Sequence, residues 1–408
     1  MKKVAIFLAG QTITTFGSYL VQYAIMWHLT LETKSGLVLA MAAVFGFLPQ
    51  AIVSIFAGVW ADRVNRKIMI IVSDSTIALA TLGLALLMFS GVDDLWLIFL
   101  VMAVRSVGAG VQMPAISALL PQIVPAEQLM RVNGINSSIQ SALGLLAPVA
   151  AAAVYSAMSL MAILLIDVAT AIVGLTLLSF VAVPSLARVS SSEKPSYFAD
   201  LRDGIRYIFG NDLVRWVMAI FGLVFLLIVA PSNLSPLMVV RNFGTEVWML
   251  TVLEISFGVG MLIGGVLVAV LASKLDRLGA MIGSSILFGL LAIGMGFTTN
   301  LVVFYSLFFV VGIAVPAFST SAMTLLQETV EPERQGRVFG FVGIVMAVAM
   351  PLGMAVLGPL ADIFPVEALL IITGAMTVVV VGFAILLPGG RRAIRAAHAS
   401  TGVVGNAS

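Results

Sequence analysis

Cysteine is absent from this chain of 408 residues, and histidine occurs only as His28 and His398. The lack of cysteine excludes disulfide bonds, thiolate metal sites and a cysteine nucleophile. Two histidines so far apart argue against a histidine metal site and against a Ser-His-Asp triad. Charge is also scarce, because Asp, Glu, Lys and Arg make up 10% of the residues, whereas soluble domains carry about a quarter. This composition does not suit a soluble fold.

Hydrophobic residues are abundant instead, at 61% of the chain. A helix of about 20 apolar residues crosses a bilayer, at about 1.5 Å of rise per residue. Twelve apolar stretches reach or approach that length, which predicts an all-α membrane protein with twelve transmembrane helices. The stretches are residues 4–29, 36–59, 68–89, 95–119, 132–155, 160–183, 214–239, 247–272, 280–298, 301–326, 337–359 and 366–387. The first is long enough to span and lacks a small-residue cleavage site, so we interpret it as a span and not as a signal peptide.

Lysine and arginine are distributed unevenly around these stretches. With the N-terminus in the cytoplasm, 18 of the 21 basic residues fall inside, Lys34 and Arg241 fall outside, and Arg105 lies within a span. Cytoplasmic loops carry an excess of Lys and Arg, so this orientation places both termini in the cytoplasm. It also supports an even number of spans, because moving one span would transfer alternate loops to the wrong side. The predicted location is the cell membrane.

One long polar break, at about residues 184–213, divides the spans into two groups of six. Within it, Tyr197, Leu201, Ile205 and Ile208 recur at helical spacing among charged residues. This pattern predicts an amphipathic helix on the cytoplasmic membrane surface. The predicted organisation is an N-terminal half (1–183), a linker (184–213), a C-terminal half (214–390) and a cytoplasmic tail (391–408).

The two halves contain an internal repeat. Five identities recur at a constant offset of 206 residues, just before and at the start of spans five and eleven. They pair Val124 with Val330, Glu127 with Glu333, Arg131 with Arg337, Val132 with Val338, and Gly134 with Gly340. Five matches in a short window favour duplication over chance. Because each half has an even number of spans, the repeats run parallel, and transporters built this way bind substrate at the interface between the repeats.

The loop between spans two and three holds the strongest local motif, Gly58-Val59-Trp60-Ala61-Asp62-Arg63-Val64-Asn65-Arg66-Lys67. Gly58 allows close helix approach, and Asp62 can accept hydrogen bonds near the positive end of span three. The basic residues Arg63, Arg66 and Lys67 would anchor the loop at the anionic leaflet. On charge alone, an ordinary cytoplasmic loop would account for these residues.

The full motif resembles the signature loop of the major facilitator superfamily, in which glycine is expected at the position of Asn65. The resemblance implies two pseudo-symmetric halves of six helices, with this loop locking the cytoplasmic gate. A weaker echo of the loop, at Lys274, Asp276 and Arg277, follows span eight, where the repeat predicts it.

Four charged residues are embedded in the spans: Arg105, Asp74, Asp167 and Glu254. A charge near mid-membrane is costly, so Arg105 should face the bundle interior and have a partner. The stretch Arg105-Ser106-Val107-Gly108-Ala109-Gly110 resembles the span-four motif of the superfamily, which is linked there to proton movement. The structural alternative is an arginine tied to backbone carbonyls.

The three embedded acids are candidates for proton coupling, because a carboxyl group can be neutral in a low dielectric and release its proton when water or a cation approaches. Glu254 is the first choice, since nothing basic lies near it in its own half. Asp74 is equally consistent with a structural tie to the span-two loop. For Asp167, structural pairing is the favoured alternative.

Uncharged polar residues within the spans form a second candidate set. Gln11 and Gln22 differ by eleven residues, or three helical turns, and can therefore share one face of span one. The predicted substrate-cavity residues are Gln11, Gln22, Tyr23, Met26, Asn136, Gln140 and Asn233. Hydrogen bonding between helices is the common alternative for such polar residues.

Segments along nearly the whole chain resemble the macrolide-efflux, or drug:proton antiporter, branch of this superfamily. They include Phe45-Gly46-Phe47-Leu48-Pro49, Glu254-Ile255-Ser256-Phe257, Gly260-Met261-Leu262-Ile263-Gly264-Gly265 and Gly336-Arg337-Val338-Phe339. The resemblance implies proton-coupled export of bulky lipophilic compounds. Sister groups of similar sequence move siderophores or lysophospholipids, so a siderophore exporter or a lysophospholipid flippase on the same fold is the alternative.

Other classes of protein, namely a membrane-embedded enzyme or a receptor, fit the sequence less well. A membrane enzyme should carry histidines, acids or cysteines clustered at one membrane face, and the sequence offers no such cluster. ATP-driven transport is disfavoured because the sequence contains no G-x-x-x-x-G-K-[ST] loop. The expected partners are a lipophilic small molecule, protons and the lipid bilayer. No cofactor, metal or nucleic acid is expected, and the expected state is a monomer.

Overall fold

The computed structural model describes residues 2–125, 128–181, 197–271, 276–387 and 390–392. Within these ranges the regular secondary structure is helical, without strands. The helices are α1 (Lys2–Thr33), α2 (Gly36–Arg63), α3 (Arg66–Phe89), α4 (Leu95–Ile123), α5 (Leu129–Ala157), α6 (Leu160–Ser179), α7 (Tyr197–Gly210), α8 (Asp212–Leu227), α9 (Val229–Asn233), α10 (Ser235–Asn242), α11 (Val247–Leu271), α12 (Arg277–Phe297), α13 (Leu301–Thr329), α14 (Pro332–Ile363) and α15 (Val366–Leu386).

Twelve helical segments of the described chain are long and apolar enough to cross a membrane. Helices α1 to α6 supply the first six, α8 to α10 together form the seventh, and α11 to α15 supply the rest. Each predicted apolar stretch coincides with one of these segments, so the predicted twelve-helix membrane fold is confirmed. The linker helix is present as α7. The serine-rich part of the linker before it and the tail beyond Arg392 lie outside the described residues.

The seventh segment differs from its predicted form, a continuous span over 214–239. It consists of three helical pieces that are separated near Ile228 and Leu234. Pro231 and Pro236 lie in the second and third pieces. Because proline has no backbone N–H and its ring clashes with the preceding turn, it interrupts the helical hydrogen-bond ladder. Ser235 Oγ donates to the carbonyl of Pro231. This bond gives a buried carbonyl at the break a hydrogen-bond donor.

Side-chain caps mark where several helices begin. Asn65 Oδ1 accepts the N–H groups of Lys67 and Ile68 at 3.0 and 3.4 Å, and Asp276 accepts that of Gly279 at 2.9 Å. The first N–H groups of a helix have no partner within it, so these caps favour a start at the residue that follows. Asn65 has a φ of −62°, which does not require glycine. The departure from the superfamily loop at Asn65 is therefore accommodated as a helix cap.

The chain divides into two compact units, Met1–Ser191 with Thr245–Ile255, and Ser192–Gly244 with Ser256–Ser408. In the first unit, α1 packs against α5 and α6, α2 against α4, and α3 against α4 and α6. In the second unit, α12 packs against α13 and α15, and α14 packs against α7, α8 and α9. The first unit thus includes a short stretch that the sequence assigned to the C-terminal half. The predicted functional boundaries at residues 183 and 214 stay predictions.

The 206-residue repeat coincides with equivalent helix ends in the two units. The N–H of Val124 caps α4 by donating to Leu120 O at 3.1 Å, and the N–H of Val330 caps α13 by donating to Leu326 O at 2.9 Å. Near the start of the helix that follows, Val132 and Val338 are 1% and 0% exposed. The same capping bond and the same burial therefore occur at both copies of the matched segment.

Helices α11 and α13 approach closely where glycines face the partner backbone. A Cβ atom at Gly264 would lie 2.9 Å from the Cα and carbonyl carbon of Ile313 and still closer to its oxygen, whereas one at the neighbouring Gly265 would meet nothing. Small residues at such contacts let helix backbones pack directly against each other in a membrane. The two adjacent glycines therefore form a matched pair for testing this contact.

We expect Gly264→Ala to lower the free energy of unfolding by about 1–3 kcal/mol, because the backbone of Ile313 cannot move aside as a side chain would. We expect Gly265→Ala to be neutral or to stabilise by up to about 1 kcal/mol, since alanine is the better helix former. Thermal unfolding of the purified protein in detergent measures both changes. Equal melting temperatures for the two variants would contradict the close contact at Gly264.

Candidate functional site

A buried charged cluster lies in the first unit, where α3, α4 and α6 meet. Arg105 of α4 forms an ion pair with Asp167 of α6, in which Arg105 Nη1 donates to Asp167 Oδ2. The same Nη1 lies 2.5 Å from Thr81 Oγ1 of α3, and Nη2 donates to Ser18 O of α1 at 3.3 Å. The side chains of Arg105 and Asp167 are 8% and 1% exposed. The sequence required a partner for Arg105, and the structure supplies Asp167 together with one backbone carbonyl.

The surroundings of Asp167 are closely packed. A Cβ atom at Gly17 of α1 would collide with Thr170 Oγ1 and would lie 3.0 Å from Asp167 Oδ1. Glycine at position 17 therefore allows α1 to approach the ion pair. Asp167 Oδ1 is buried and has no hydrogen-bond partner among the described residues. One oxygen of this carboxylate thus pairs with arginine while the other is unsatisfied.

Asp74 of α3 is the second buried acid of this unit, and its side-chain partner is neutral. Gln112 Nε2 of α4 donates to Asp74 Oδ1, and Asp74 is 2% exposed. No cation among the described residues forms an ion pair with it. Asp74 is therefore tied to α4, whereas the structural alternative drawn from the sequence was a tie to the span-two loop.

A cavity of about 500 Å³ opens within the first unit beside these groups. Four of the predicted cavity residues line it, namely Gln11, Gln22, Asn136 and Gln140, and so does Arg105. Gln50, Gln112 and Asn133 line it as well, although none of these three was among the predicted cavity residues. A signal for Asn133 was available, because Asn133, Asn136 and Gln140 recur at the i, i+3, i+7 spacing of one helix face.

The other predicted cavity residues lie elsewhere. Tyr23 packs against Trp27 of its own helix with ring centroids 5.9 Å apart, and Met26 is half-buried; neither lines the cavity of the first unit. Asn233 belongs to the second unit, where its Nδ2 donates to Val229 O at 3.3 Å. That local bond uses one N–H of its amide within the broken seventh segment.

Glu254 lies in α11 and is half-buried. Among the residues that the structure describes, none donates a hydrogen bond to its carboxylate or forms an ion pair with it. Its environment therefore differs from that of Asp167, which pairs with arginine, and from that of Asp74, which accepts from an amide.

The loop motif is described only in part, since the side chains of Gly58, Asp62 and Arg63 lie outside the described ones. Arg66 Nη1 donates to Ala118 O of α4 at 2.8 Å. Lys67 Nζ donates to Ser179 O and Val181 O at the end of α6, at 2.9 and 2.8 Å. A cation is favourable at a helix C-terminus, where carbonyls are unpaired. Arg66 and Lys67 thus bind the start of α3 to α4 and α6, a role that the sequence prediction of anchoring at the leaflet did not include.

Comparisons with known proteins agree on one family. The model of the Major Facilitator Superfamily matches residues 7–280 and 248–402. Macrolide efflux protein A of Streptococcus pyogenes is 31% identical over 373 residues, which cover 91% of this chain and 92% of that protein. The protein of the same name from Enterococcus faecalis is 32% identical over 323 residues, covering 78% of this chain and 99% of the relative. The crystal structure of the nucleoside transporter NupG superposes with a TM-score of 0.73 at 14% identity, over 95% of this chain and 99% of that chain.

Proposed function

Because this chain belongs to the Major Facilitator Superfamily, we propose that it exports bulky lipophilic compounds of the macrolide type in exchange for protons, by alternating access. The family and the fold are those of membrane transporters and not of enzymes. The working location is the cell membrane, with both termini in the cytoplasm, as the placement of 18 basic residues on one side suggests. The similarity to macrolide efflux proteins supports the choice of cargo.

The cavity of the first unit, with the ionisable groups beside it, is the observation that carries the proposal. Its volume of about 500 Å³ lies within the range of about 300–1,000 Å³ that is usual for small-molecule sites. Arg105 lines it while paired with Asp167. Ionisable groups inside a membrane protein are costly and mark substrate or ion pathways. A binding space and a buried ion pair therefore occur together, which supports a role of this unit in coupled transport.

Proton loading is assigned to Glu254 and Asp74. Neither carboxylate has a cationic partner among the described residues that would compete with a proton. Asp167 is held by Arg105, so proton exchange there would require the ion pair to open. To Arg105 and Asp167 we assign the modulation of proton movement. Gln112 connects Asp74 to the cavity, because Gln112 lines the cavity and donates to that acid.

The loop from Gly58 to Lys67 is assigned to gating. The bonds from Arg66 and Lys67 to carbonyls of α4 and of the α6 end tie the start of α3 to these two helices. Alternating access of this kind moves one half as a body against the other. A loop anchored at several carbonyls can transmit such a movement without deforming.

The test is drug accumulation in cells with and without the protein, each measured before and after addition of a protonophore. One charge moved through 100 mV provides about 2.3 kcal/mol, which supports a concentration ratio of about 50. We expect lower macrolide accumulation in cells that contain the protein, and we expect the difference to vanish when the uncoupler is added.

Two results would count against the proposal in different ways. Export that persists in the uncoupler would remove proton coupling. Unchanged accumulation of macrolides and lipophilic dyes, together with transport of fluorescent lysolipid in the same cells, would favour the lysophospholipid flippase.

A further inference from the structure

Carboxamide side chains are concentrated in one cavity. Residues 1–183 contain seven glutamines and three asparagines, and seven of these ten side chains line the cavity of the first unit. We infer that this cavity recognises the uncharged, hydroxyl- and carbonyl-rich part of a lipophilic substrate, such as a neutral sugar on a macrolide, through hydrogen bonds from these carboxamides. The inference rests on the proposed function and specifies which chemical groups of the cargo are read.

Apart from Gln112, these carboxamides make no hydrogen bond between helices among the described residues. Gln112 donates to Asp74, but the side chains of the other six make no hydrogen bond to any described residue. Gln11 is 6% exposed, and its Oε1 is buried with no partner in the described chain. Buried polar atoms are normally satisfied, and an unsatisfied one in a native protein requires an explanation. Because Gln11 also lines the cavity, a ligand that turned this amide towards itself would provide one.

The charge of the cavity does not favour a cation. Among the described residues that line it, Arg105 is the one charged residue, and it is paired with Asp167. No carboxylate belongs to the lining formed by the described residues. An amide group offers both a donor and an acceptor but no net charge. Its complement is therefore a hydroxyl, ether or carbonyl group, whereas an organic cation would find no counter-ion in this lining.

The internal repeat serves as a comparison within the same chain. At the offset of 206 residues, Asn136 and Gln140 correspond to Val342 and Met346. The preceding matched pair, Val132 and Val338, is buried to the same extent in both units. The equivalent helix of the repeat thus forms without carboxamides at these two positions. The amides of α5 therefore reflect a requirement of this cavity and not of the architecture.

The spacing of the carboxamides indicates a ligand larger than one sugar ring. Gln11 and Gln22 are separated by eleven residues of α1, about 16 Å along the helix at 1.5 Å per residue. Asn133, Asn136 and Gln140 cover two further turns on α5. A compound that satisfies groups on both helices must extend over several turns, which agrees with a macrocycle that carries sugars.

The experiment measures equilibrium binding to the full-length protein in lipid nanodiscs. The probes are a radiolabelled fourteen-membered macrolide that carries an amino sugar and a neutral sugar, the same compound without its neutral sugar, and tetraphenylphosphonium. Both macrolides keep the amine, so the comparison isolates neutral hydrogen-bonding groups from charge. We expect the complete macrolide to bind about tenfold more tightly than the compound without the neutral sugar, and the cation to compete weakly.

Gln22→Met and Gln140→Met remove the amide at nearly constant volume. Each is expected to weaken binding of the complete macrolide about three- to tenfold, as loss of one or two neutral hydrogen bonds would, and at least one of them should reduce the preference for the complete compound. Gln327→Met, at an exposed carboxamide of α13 that is not part of the cavity lining, should bind like the unchanged protein. Thermal unfolding confirms that each variant is folded.

Three outcomes overturn the inference: equal affinity of the unchanged protein for the two macrolides, equal loss of both in the glutamine variants, or tetraphenylphosphonium binding as tightly as the macrolide. Failure of the proposed function looks different. In that case the compounds bind with the expected preference, but cells that contain the protein do not export them. Absence of binding by any macrolide overturns both.

Discussion

Replacing Arg105 by methionine is expected to abolish export and to lower the free energy of unfolding by about 3–5 kcal/mol. The substitution keeps an unbranched side chain but removes the guanidinium group, so Asp167, whose side chain is 1% exposed, is left without its cation. A buried carboxylate without a partner is costly in a low dielectric, and its other oxygen already lacks a hydrogen bond from the described residues. The melting temperature in detergent and the export rate in cells measure the two effects.

The double variant Arg105→Met/Asp167→Leu separates structure from function. Removing both charges relieves the uncompensated carboxylate, so most of the lost stability should return, because buried ion pairs are often replaceable by apolar residues. Export should stay lost if the pair modulates proton movement. A double variant that is both stable and fully active would show that the pair is structural only.

Arg215→Met is the matched control. Arg215 pairs with Asp212 on the surface, where the two side chains are 45% and 46% exposed. Loss of this pair should cost no more than about 1 kcal/mol of stability.

Replacing Glu254 by glutamine is expected to abolish the dependence of export on a pH gradient. The amide has the shape of the protonated acid but cannot release or take up a proton, so a carrier held in that state no longer converts a proton gradient into movement of cargo. The measurement is macrolide transport in proteoliposomes at several imposed pH differences. The unchanged protein should respond to the gradient, and Glu254→Gln should give one rate throughout. Glu246→Gln, at an exposed position just before the same helix, should respond as the unchanged protein does.

Asp74→Asn in the same assay distinguishes the two acids. If Glu254→Gln retains its response to the gradient and Asp74→Asn loses it, the proton is carried by Asp74, next to Gln112 and the cavity. If both variants keep the full response, neither acid carries the proton. The binding affinity for macrolide, measured at one pH, should change little in Glu254→Gln, which separates coupling from recognition.

The behaviour of Arg105 shows how far a sequence of this kind can be interpreted. Its need for a partner could be predicted, because a charge in an apolar stretch has a cost that does not depend on the details of the fold. The identity of its partner could not be predicted, because Asp167 is 62 residues away and two other embedded acids were equally available in the sequence. Which helix faces which depends on packing between spans that all have similar hydropathy.

The carboxamides of the cavity are a second example of a feature that the sequence predicts only in part. Gln11 and Gln22 could be placed on one face of α1 from helical spacing alone. This face meets Gln50 of α2 and Asn133 of α5 around one cavity. That meeting follows from the order in which the helices pack. The same limit applies to Tyr23 and Met26, which share the helix of Gln11 and Gln22 but do not line this cavity.

Twelve spans, the uneven placement of basic residues between alternate loops, the repeat of 206 residues and the family resemblance are all properties of the linear chain, because hydropathy, charge and identity are carried by each residue wherever it lies. The ion pair of Arg105 with Asp167, the tie of Asp74 to Gln112 and the carboxamide lining of the cavity were decided by tertiary structure alone. The physical reason is that hydrogen bonds and ion pairs act over about 3 Å and depend on direction, whereas the hydrophobic effect is non-directional and identifies a span without selecting its neighbours.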